Sequence, residues 1–408
     1  MIHFDTITMI VCTVLILMSI LSSFTSIFFR KIKLSDPATD DNSTPDELKH
    51  NETNDLSTAN DSLPALSIIL CVHDNARDLE RHMPAILNQD YPAGFEVIVV
   101  ESKGEDDTDD VLKQLKQTNS NLYTTFVPDS ARYMSRPKLA VTLGVKAAKN
   151  SWILLTEPTC HPSSDQWLST MARHCGKDTD IVIGYTNYND ESSDFRRFEL
   201  LQSQLYILRE AQLRTAYRCE PGNLMFRKDM FINGRSFDGN LKYIRGEYDF
   251  IVNKFAQKGR TAIETHPSAW MLFDDPTDKQ WNNNRLYYME TRKHLQRTFR
   301  HRLSHAVDQL LLHANLLFIL SAIVWCIVRL VNQNYSTSTW AVGAAAILAL
   351  LITFIMRSLF ASNVFKVFHE DIPAWKVLPF ESSVIWRQIF QRMKYQVADK
   401  YDFISHKV

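Results

Sequence analysis

The residues of this chain best placed to do chemistry are carboxylates that stand where an apolar run gives way to a polar one. Asp74 follows LSIILCV (Leu66–Val72), and Glu101 ends FEVIVV, residues 95–100. Either could accept hydrogen bonds from a nucleoside. The plainer role for Glu101 is a surface acid that opens a turn. Glu157 follows WILLT (Trp152–Thr156) and precedes Pro158, Thr159, Cys160 and His161. An acid there could hold a divalent cation against a diphosphate. No Cys or His partner stands at zinc-ligand spacing around Cys160 and His161, which sets a zinc site aside. Gly246, Glu247, Tyr248 and Asp249 place two carboxylates two apart before a helical stretch. One could act as a general base toward a hydroxyl; both could also serve as acids at a helix N-terminus. Arg285, Arg292, Lys293 and His294 follow Trp281. They could neutralise a leaving diphosphate or form the basic collar of a membrane span.

Such residues need elements that bring them together. Apolar, β-branched runs at 66–72, 95–100, 152–156 and 180–184 predict buried strands. Helical spacing covers 76–87, 109–117 and 139–149. Strands and helices alternating at this interval predict an α/β domain with a mostly parallel sheet. Ligands of such sheets bind beyond the carboxyl ends of the strands. That rule selects residues 73–75, 101–107 and 157–161. The chain has 408 residues, 45% of them apolar and 22% charged, enough for a sizeable core. Six Cys scattered from Cys12 to Cys326 exclude a small disulfide scaffold. A net charge of -1 argues against a dedicated nucleic-acid binder.

Three further runs are nearly free of charge. Residues 6–29 carry none and end at Arg30, Lys31 and Lys33, which fits a spanning anchor better than a cleaved leader. Residues 309–328 and 330–356 form two more, with the polar string NQNYSTST at 332–339 as the turn of a hairpin. Lys and Arg lie before the pair (Arg292, Lys293, Arg297, Arg300, Arg302) and after it (Arg357, Lys366). The positive-inside rule then puts the N-terminus outside and the middle domain and tail in the cytosol. The expected organisation is an anchor at 1–33 and a polar linker at 34–63. A cytosolic domain follows at 64–303, then a transmembrane hairpin at 304–360 and a cytosolic tail at 361–408. In the tail, residues 379–394 can form a helix with Val384, Ile385, Ile389, Phe390 and Met393 on one stripe and Arg387, Arg392 and Lys394 around it. That helix could lie on an anionic membrane face or pack on the soluble domain.

Six segments in order complete the picture: SIILCVHDN (67–75), FEVIVVES (95–102), RPKLAVTLGVKAAKNSWILLTEPTCHP (136–162), GNLMFRKDMF (222–231), RGEYDFIVNKF (245–255) and WNNNRLYYMETRKHL (281–295). Together they resemble the inverting, GT-A fold glycosyltransferases of family 2 in their membrane-anchored bacterial branch. The resemblance covers residues 66–297. It implies a Rossmann-like GT-A domain that moves a sugar from a nucleotide-diphospho-sugar to a membrane-associated, lipid-linked or glycan acceptor at the bacterial inner membrane, in cell-surface polysaccharide or glycolipid synthesis. It implies that Asp74 and Glu101 hold the nucleoside. Glu157 with Thr159 would hold Mg²⁺ or Mn²⁺, with His266 as a late ligand. Lys138 with Arg285 or Arg292 would stabilise the leaving diphosphate. Glu247 is the implied base, and Asp249 the acid that orients acceptor or metal.

Two motifs depart from the family. Glu157, Pro158 and Thr159 stand in the place of Asp-x-Asp, and Gly246 and Glu247 in the place of two acids. The Gln-x-x-Arg-Trp signature of processive synthases is missing, its nearest string being Asn284-Arg285-Leu286-Tyr287. The departures motivate an alternative, a degenerate GT-A protein that binds nucleotide or a partner without transfer. A nucleotidyl or phosphoryl transferase and a structural membrane protein are more distant alternatives. Acceptor recognition falls to residues 187–217, whose amphipathic stretch 195–213 could line a groove or pack on the membrane side.

Overall fold

The structure, a computed structural model, describes residues 5–32, 34, 63–128 and 135–405. The polar linker expected over residues 36–62, and Lys33, lie outside the described residues. The chain divides into two compact units, Met1–Lys31 with Arg297–Phe390, and Ile32–Gln296 with Gln391–Val408.

In the first unit α1 (Thr6–Phe24) is the N-terminal apolar helix. The second unit then runs β1 (Leu66–Val72), α2 (Ala76–Leu87), β2 (Phe95–Glu101), α3 (Thr108–Thr118), β3 (Leu122–Phe126), α4 (Arg136–Ala147), β4 (Trp152–Thr156), β5 (Cys160–Pro162), α5 (Trp167–Ala172), β6 (Ile181–Gly184), β7 (Thr186–Tyr188) and α6 (Asp194–Leu213). It continues with β8 (Leu224–Arg227), α7 (Lys228–Asn233), α8 (Glu247–Phe255), β9 (Thr261–Glu264), β10 (Met271–Phe273) and α9 (Asp278–His294). The remaining helices are α10 (Phe299–Val331), α11 (Thr337–Val367) and α12 (Val377–Val397).

Seven strands form one sheet in the order β3-β2-β1-β4-β8-β6-β9. Neighbours in β3-β2-β1-β4 are parallel, and so are β6 and β9, while β8 is antiparallel to both β4 and β6. The expected mostly parallel sheet is therefore mixed at its centre. Strands β1, β2 and β4 are buried because helices cover the sheet, which is why they read as continuous apolar runs rather than alternating ones. Gly144 lets α4 lie close on β1 and β2: a Cβ there would stand 2.7 Å from Ile69 Cγ2 and 3.2 Å from Val100 Cγ2. A second sheet, β5-β10-β7, pairs β10 antiparallel to β5 and parallel to β7.

Asn223, 1% exposed, ties the far half of the domain together. Its amide donates to Tyr185 O (3.1 Å) and Ala269 O (2.8 Å), and its oxygen accepts from Trp167 Nε1 (3.0 Å). Gly184 leaves the room, since a Cβ there would fall 2.2 Å from Asn223 Nδ2.

In the first unit three helices are long and apolar enough to cross a membrane: Thr6–Phe24, Ala306–Val331 and Thr337–Val367. The third apolar run, expected from residue 330, starts later, because Leu330 and Val331 complete α10 and the polar turn follows them. Helix α1 packs on both α10 and α11. A chain of buried polar groups crosses the bundle: Ser19 Oγ donates to Asn315 Oδ1 (3.1 Å), Asn315 Nδ2 to Thr353 Oγ1 (3.0 Å) and Thr353 Oγ1 to Ala349 O (2.9 Å). Hydrogen bonds of this kind hold apolar helices in register where no water competes. Arg357, counted above as a flanking cation, is instead buried and paired with Glu381, and donates to Ser22 O at 2.7 Å. Along α12, Val384 is buried while Ile389, Phe390 and Met393 are exposed, so the expected stripe is divided between two surroundings.

Replacing Asn223 by Leu leaves the Trp167 indole N–H and the Ala269 carbonyl buried without partners, while Tyr185 O keeps the N–H of Met271 at 3.2 Å. At about 1 to 3 kcal/mol for each, Asn223→Leu is expected to lower the melting temperature of the purified protein by about 4 °C or more. An unchanged melting temperature would show that the clamp does not hold the domain.

Candidate active site

A cleft of about 650 Å³ opens beyond the carboxyl ends of β1 and β4, where the strand-end rule places a ligand. Its walls come from residues 71–75, the start of α4, residues 156–159, residues 218–221, the loop into α8, residues 274–276 and α9.

At one end, Asp74 lines the cleft in a left-handed conformation, φ 55°. Its Oδ1 accepts the backbone N–H groups of Glu105 (2.7 Å) and Asp106 (3.3 Å). Asp74 therefore joins the loops after β1 and β2 and leaves Oδ2 toward His73 Nε2, 3.7 Å away. Glu101 stands beside Val72 in the sheet register but does not line the cleft; its neighbour Ser102 does. Burial pushes the Glu101 carboxyl up, with Asp109 and Asp106 adding to the effect and Lys113 opposing it.

In the middle, Glu157 follows β4, and Thr159 lines the same wall. Burial pushes the Glu157 carboxyl up to about 7. Arg245 pulls it down, Glu247 pushes it further up, and Tyr248 lowers it. Glu247 is the first residue of α8, 7% exposed, with Oε1 3.7 Å from Arg245 Nη1. Gly246 precedes it at φ 100°, a conformation that favours glycine, and a Cβ there would meet Thr291 Cγ2 at 2.6 Å. That geometry accounts for glycine in a place where the resembled family carries an acid.

The approach to Glu247 is held from α4. Lys138, fully buried, donates to the carbonyl oxygens of Tyr243 and of Arg245, the latter at 2.9 Å. Ser135 Oγ donates to Ile244 O at 2.6 Å. Burial lowers the Lys138 ammonium to about 8. Lys138 does not line the cleft, and neither does Arg292. Neither is therefore placed for the diphosphate contact expected of it, and the Lys138 ammonium already serves two carbonyls. His266 caps a short turn, its Nδ1 accepting from Ser268 N at 3.3 Å, and does not line the cleft as a late ligand would.

Asp249 faces the cleft and accepts from Arg218 Nε at 3.2 Å. Burial pushes its carboxyl up to about 6, against the pull of Arg218. Arg218 also donates to Glu220 Oε1 at 2.8 Å and lies 4.1 Å from the Tyr288 ring centroid. Arg285 lines the cleft and pairs with Glu199 at 2.8 Å. Arg245, Arg218, Glu199 and Glu220 went unassigned in the sequence. Only Arg245 carried a signal, as the lone cation ahead of two acids.

Residues 67–234 match the model of the family described as Glycosyl transferase family 2. The chain carries a glycosyltransferase family 2 domain. The chain is 23% identical over 188 residues to glycosyltransferase AglE of Haloferax volcanii, covering 44% of this chain. It spans 58% of that relative's length. The mannosyltransferase PcManGT of Pyrobaculum calidifontis, solved with GDP-Man and Mn²⁺, aligns over 95% of this chain and 99% of its own at 14% identity and a TM-score of 0.49. GalNAc-T7, solved with UDP, GalNAc and Mn²⁺, aligns over 53% of this chain and 44% of its own at 12% identity and a TM-score of 0.40.

A hard divalent ion needs one or two carboxylates when a diphosphate and water supply the rest. Glu157 offers one carboxylate, raised by burial against the pull of Arg245, and Thr159 offers a hydroxyl. That donor set fits such an ion.

Without metal, the raised carboxyl has a measurable sign. The folded protein keeps the Glu157 proton between about pH 4.5 and 7 while the unfolded chain loses it, so stability falls as pH rises through that window. In EDTA, Glu157→Gln is expected to be more stable than the parent at pH 8 by about 3 kcal/mol. The gap should close by about pH 4.5. A gap independent of pH in thermal or denaturant melts would contradict the buried acid.

Proposed function

We propose that this chain transfers a sugar from a nucleotide-diphospho-sugar to a hydroxyl of a membrane-associated acceptor of the lipid-linked or glycan type, with inversion at the anomeric carbon. The observation that carries the reading is the meeting of Glu157, Arg245 and Glu247 in one cleft beyond the strand ends of a family 2 domain. Glu247, held at the start of α8, takes the acceptor proton as the hydroxyl oxygen attacks the anomeric carbon and the nucleoside diphosphate leaves. Arg245 and Arg285 face the cleft and supply positive charge toward the leaving group. Glu157 and Thr159 would hold a divalent ion, which when bound neutralises diphosphate charge. Asp74 and Ser102 bound the end where a nucleoside fits. Glu101 supports that end from behind. Asp249 orients the acceptor side through Arg218, Glu220 and Tyr288.

The proposed setting is a bacterial inner membrane, as the sequence resemblance implies. Three apolar helices give the anchoring. The Lys and Arg residues before the hairpin favour a cytosolic face for the second unit, where soluble sugar nucleotides are made. Cell-surface polysaccharide or glycolipid synthesis would consume the product.

The test is donor turnover by the full-length protein in detergent, with a panel of nucleotide sugars and crude membrane lipids. Nucleoside diphosphate release and a labelled lipid product are expected, and Glu247→Gln should lower kcat about 10²-fold or more. Nucleotide binding without release in the presence of competent acceptor would favour the non-catalytic alternative. Full activity in Glu247→Gln would remove Glu247 as the base.

A further inference from the structure

His82, His161 and Asp274 stand 79 and 113 residues apart in sequence and come together in the fold. They arrive on α2, on β5 and immediately after β10. One ligand atom of each lies within 4.8 Å of the others. His82, 2% exposed, places Nε2 at 2.9 Å from Asp274 Oδ2. The His161 ring stacks on the His82 ring with centroids 5.0 Å apart and an interplanar angle of 11°. His161 Nδ1 is buried and has no hydrogen-bond partner among the described residues.

A plain hydrogen-bonded cluster explains the His82–Asp274 pair, which Arg81 joins at 2.9 Å. It does not explain a second imidazole turned into the same place with a buried nitrogen left unbonded, since such groups are normally satisfied. A bound cation would use that lone pair. Burial, the neighbouring His82 and Arg81 all hold the His161 imidazole toward its neutral form, against the pull of Asp274. Two imidazoles and a carboxylate are the ligand set of zinc and related transition metals rather than of Mg²⁺ or Ca²⁺. Bonds near 2.1 Å bring ligand atoms to about 3 to 4 Å of each other, so the three side chains need to close by about 1 Å and the near-parallel His161 ring needs to turn about its own χ angles until its lone pair meets that of His82. Asn189 Nδ2, 3.1 Å from Asp274 Oδ1, would keep that carboxylate oriented. The Arg81 side chain is half exposed and can turn to solvent.

We propose that His82, His161 and Asp274 form a site for a divalent transition metal, distinct from Glu157, in the wall of the cleft. Asp274 lines the cleft, and its amide donates to Thr159 O at 3.1 Å, so the ion sits at the edge of the donor site and clasps α2 to the β5-β10 pair. The site is defined by metal binding and stands whether or not the chain transfers sugar.

The experiment uses the full-length protein in detergent, stripped with EDTA and desalted, then titrated with Co²⁺ or Zn²⁺ alone. Bound metal is counted by elemental analysis and followed by the visible absorption of Co²⁺. The expected result is one tightly bound ion with a nitrogen-ligated Co²⁺ spectrum. His82→Ala and His161→Gln should each weaken it about 10-fold or more, while Glu157→Gln retains it. His161→Gln keeps the residue's bulk at a half-buried position, so it decides the matter if His82→Ala melts early. No bound ion, or binding that survives both histidine substitutions, or binding lost with Glu157→Gln alone, would overturn the proposal.

Discussion

Three successive carbonyls, those of Tyr243, Ile244 and Arg245, all end on donors from the first turn of α4. A loop that must present Arg245 and Glu247 to a ligand has no strand or helix of its own to order it. The buried Lys138 ammonium and the Ser135 hydroxyl supply that order. An ammonium donates three hydrogen bonds and is costly to bury without them, so removing either side of the contact leaves polar groups stranded. The C-terminal residues grip the same loop: Ser405 N donates to Lys242 O at 2.8 Å and Ile244 N to Phe403 O at 3.1 Å. The placing of Arg245 and Glu247 on the cleft thus depends on Lys138, which does not line it, and on Ser135 beside it.

The cleft is also balanced in charge. Glu157, Glu247, Asp249, Glu199 and Glu220 would repel one another in a half-dry space. Arg245, Arg218 and Arg285 are interleaved among them. Two acids are still raised by burial, Glu157 to about 7 and Asp249 to about 6. Carboxyls held in that range exchange protons near neutral pH and gain most from an added cation. Perturbed groups of this kind mark functional clefts. The first unit uses polarity differently, closing Ser19, Asn315 and Thr353 on one another, and Arg357 on Glu381, so that apolar helices keep fixed partners.

Much of the fold was legible from periodicity. β1, α2 and β4 fall at the residues where their apolar spacing predicts them, because buried strands and a one-faced helix leave strong local patterns. β3 was not legible: it is an edge strand whose Tyr123 and Phe126 are exposed, and it shows no apolar run. β8 was hidden because LMFR is too short to separate a strand from a helix. Its antiparallel direction follows from where the chain returns, which no local pattern records. α6 was expected to be amphipathic; it is buried around most of its circumference, polar residues included, because it lies inside the domain.

By itself the sequence determined the α/β class, the apolar helices and the acids at the strand ends, since each of these rests on local spacing or on a run of one residue type. It also carried ordered segments that resemble the family 2 glycosyltransferases, whose family model matches residues 67–234. Only the tertiary structure decided what those residues face. It turned Lys138 away from the cleft and into a loop, brought Arg245 between Glu157 and Glu247, and paired Asp249 with Arg218. It also drew His82 and Asp274 to His161, where zinc-ligand spacing in the sequence showed nothing. The reason is physical: hydrogen-bond direction, burial and charge balance are properties of neighbours in space, and these neighbours are separated by tens to more than a hundred residues of chain.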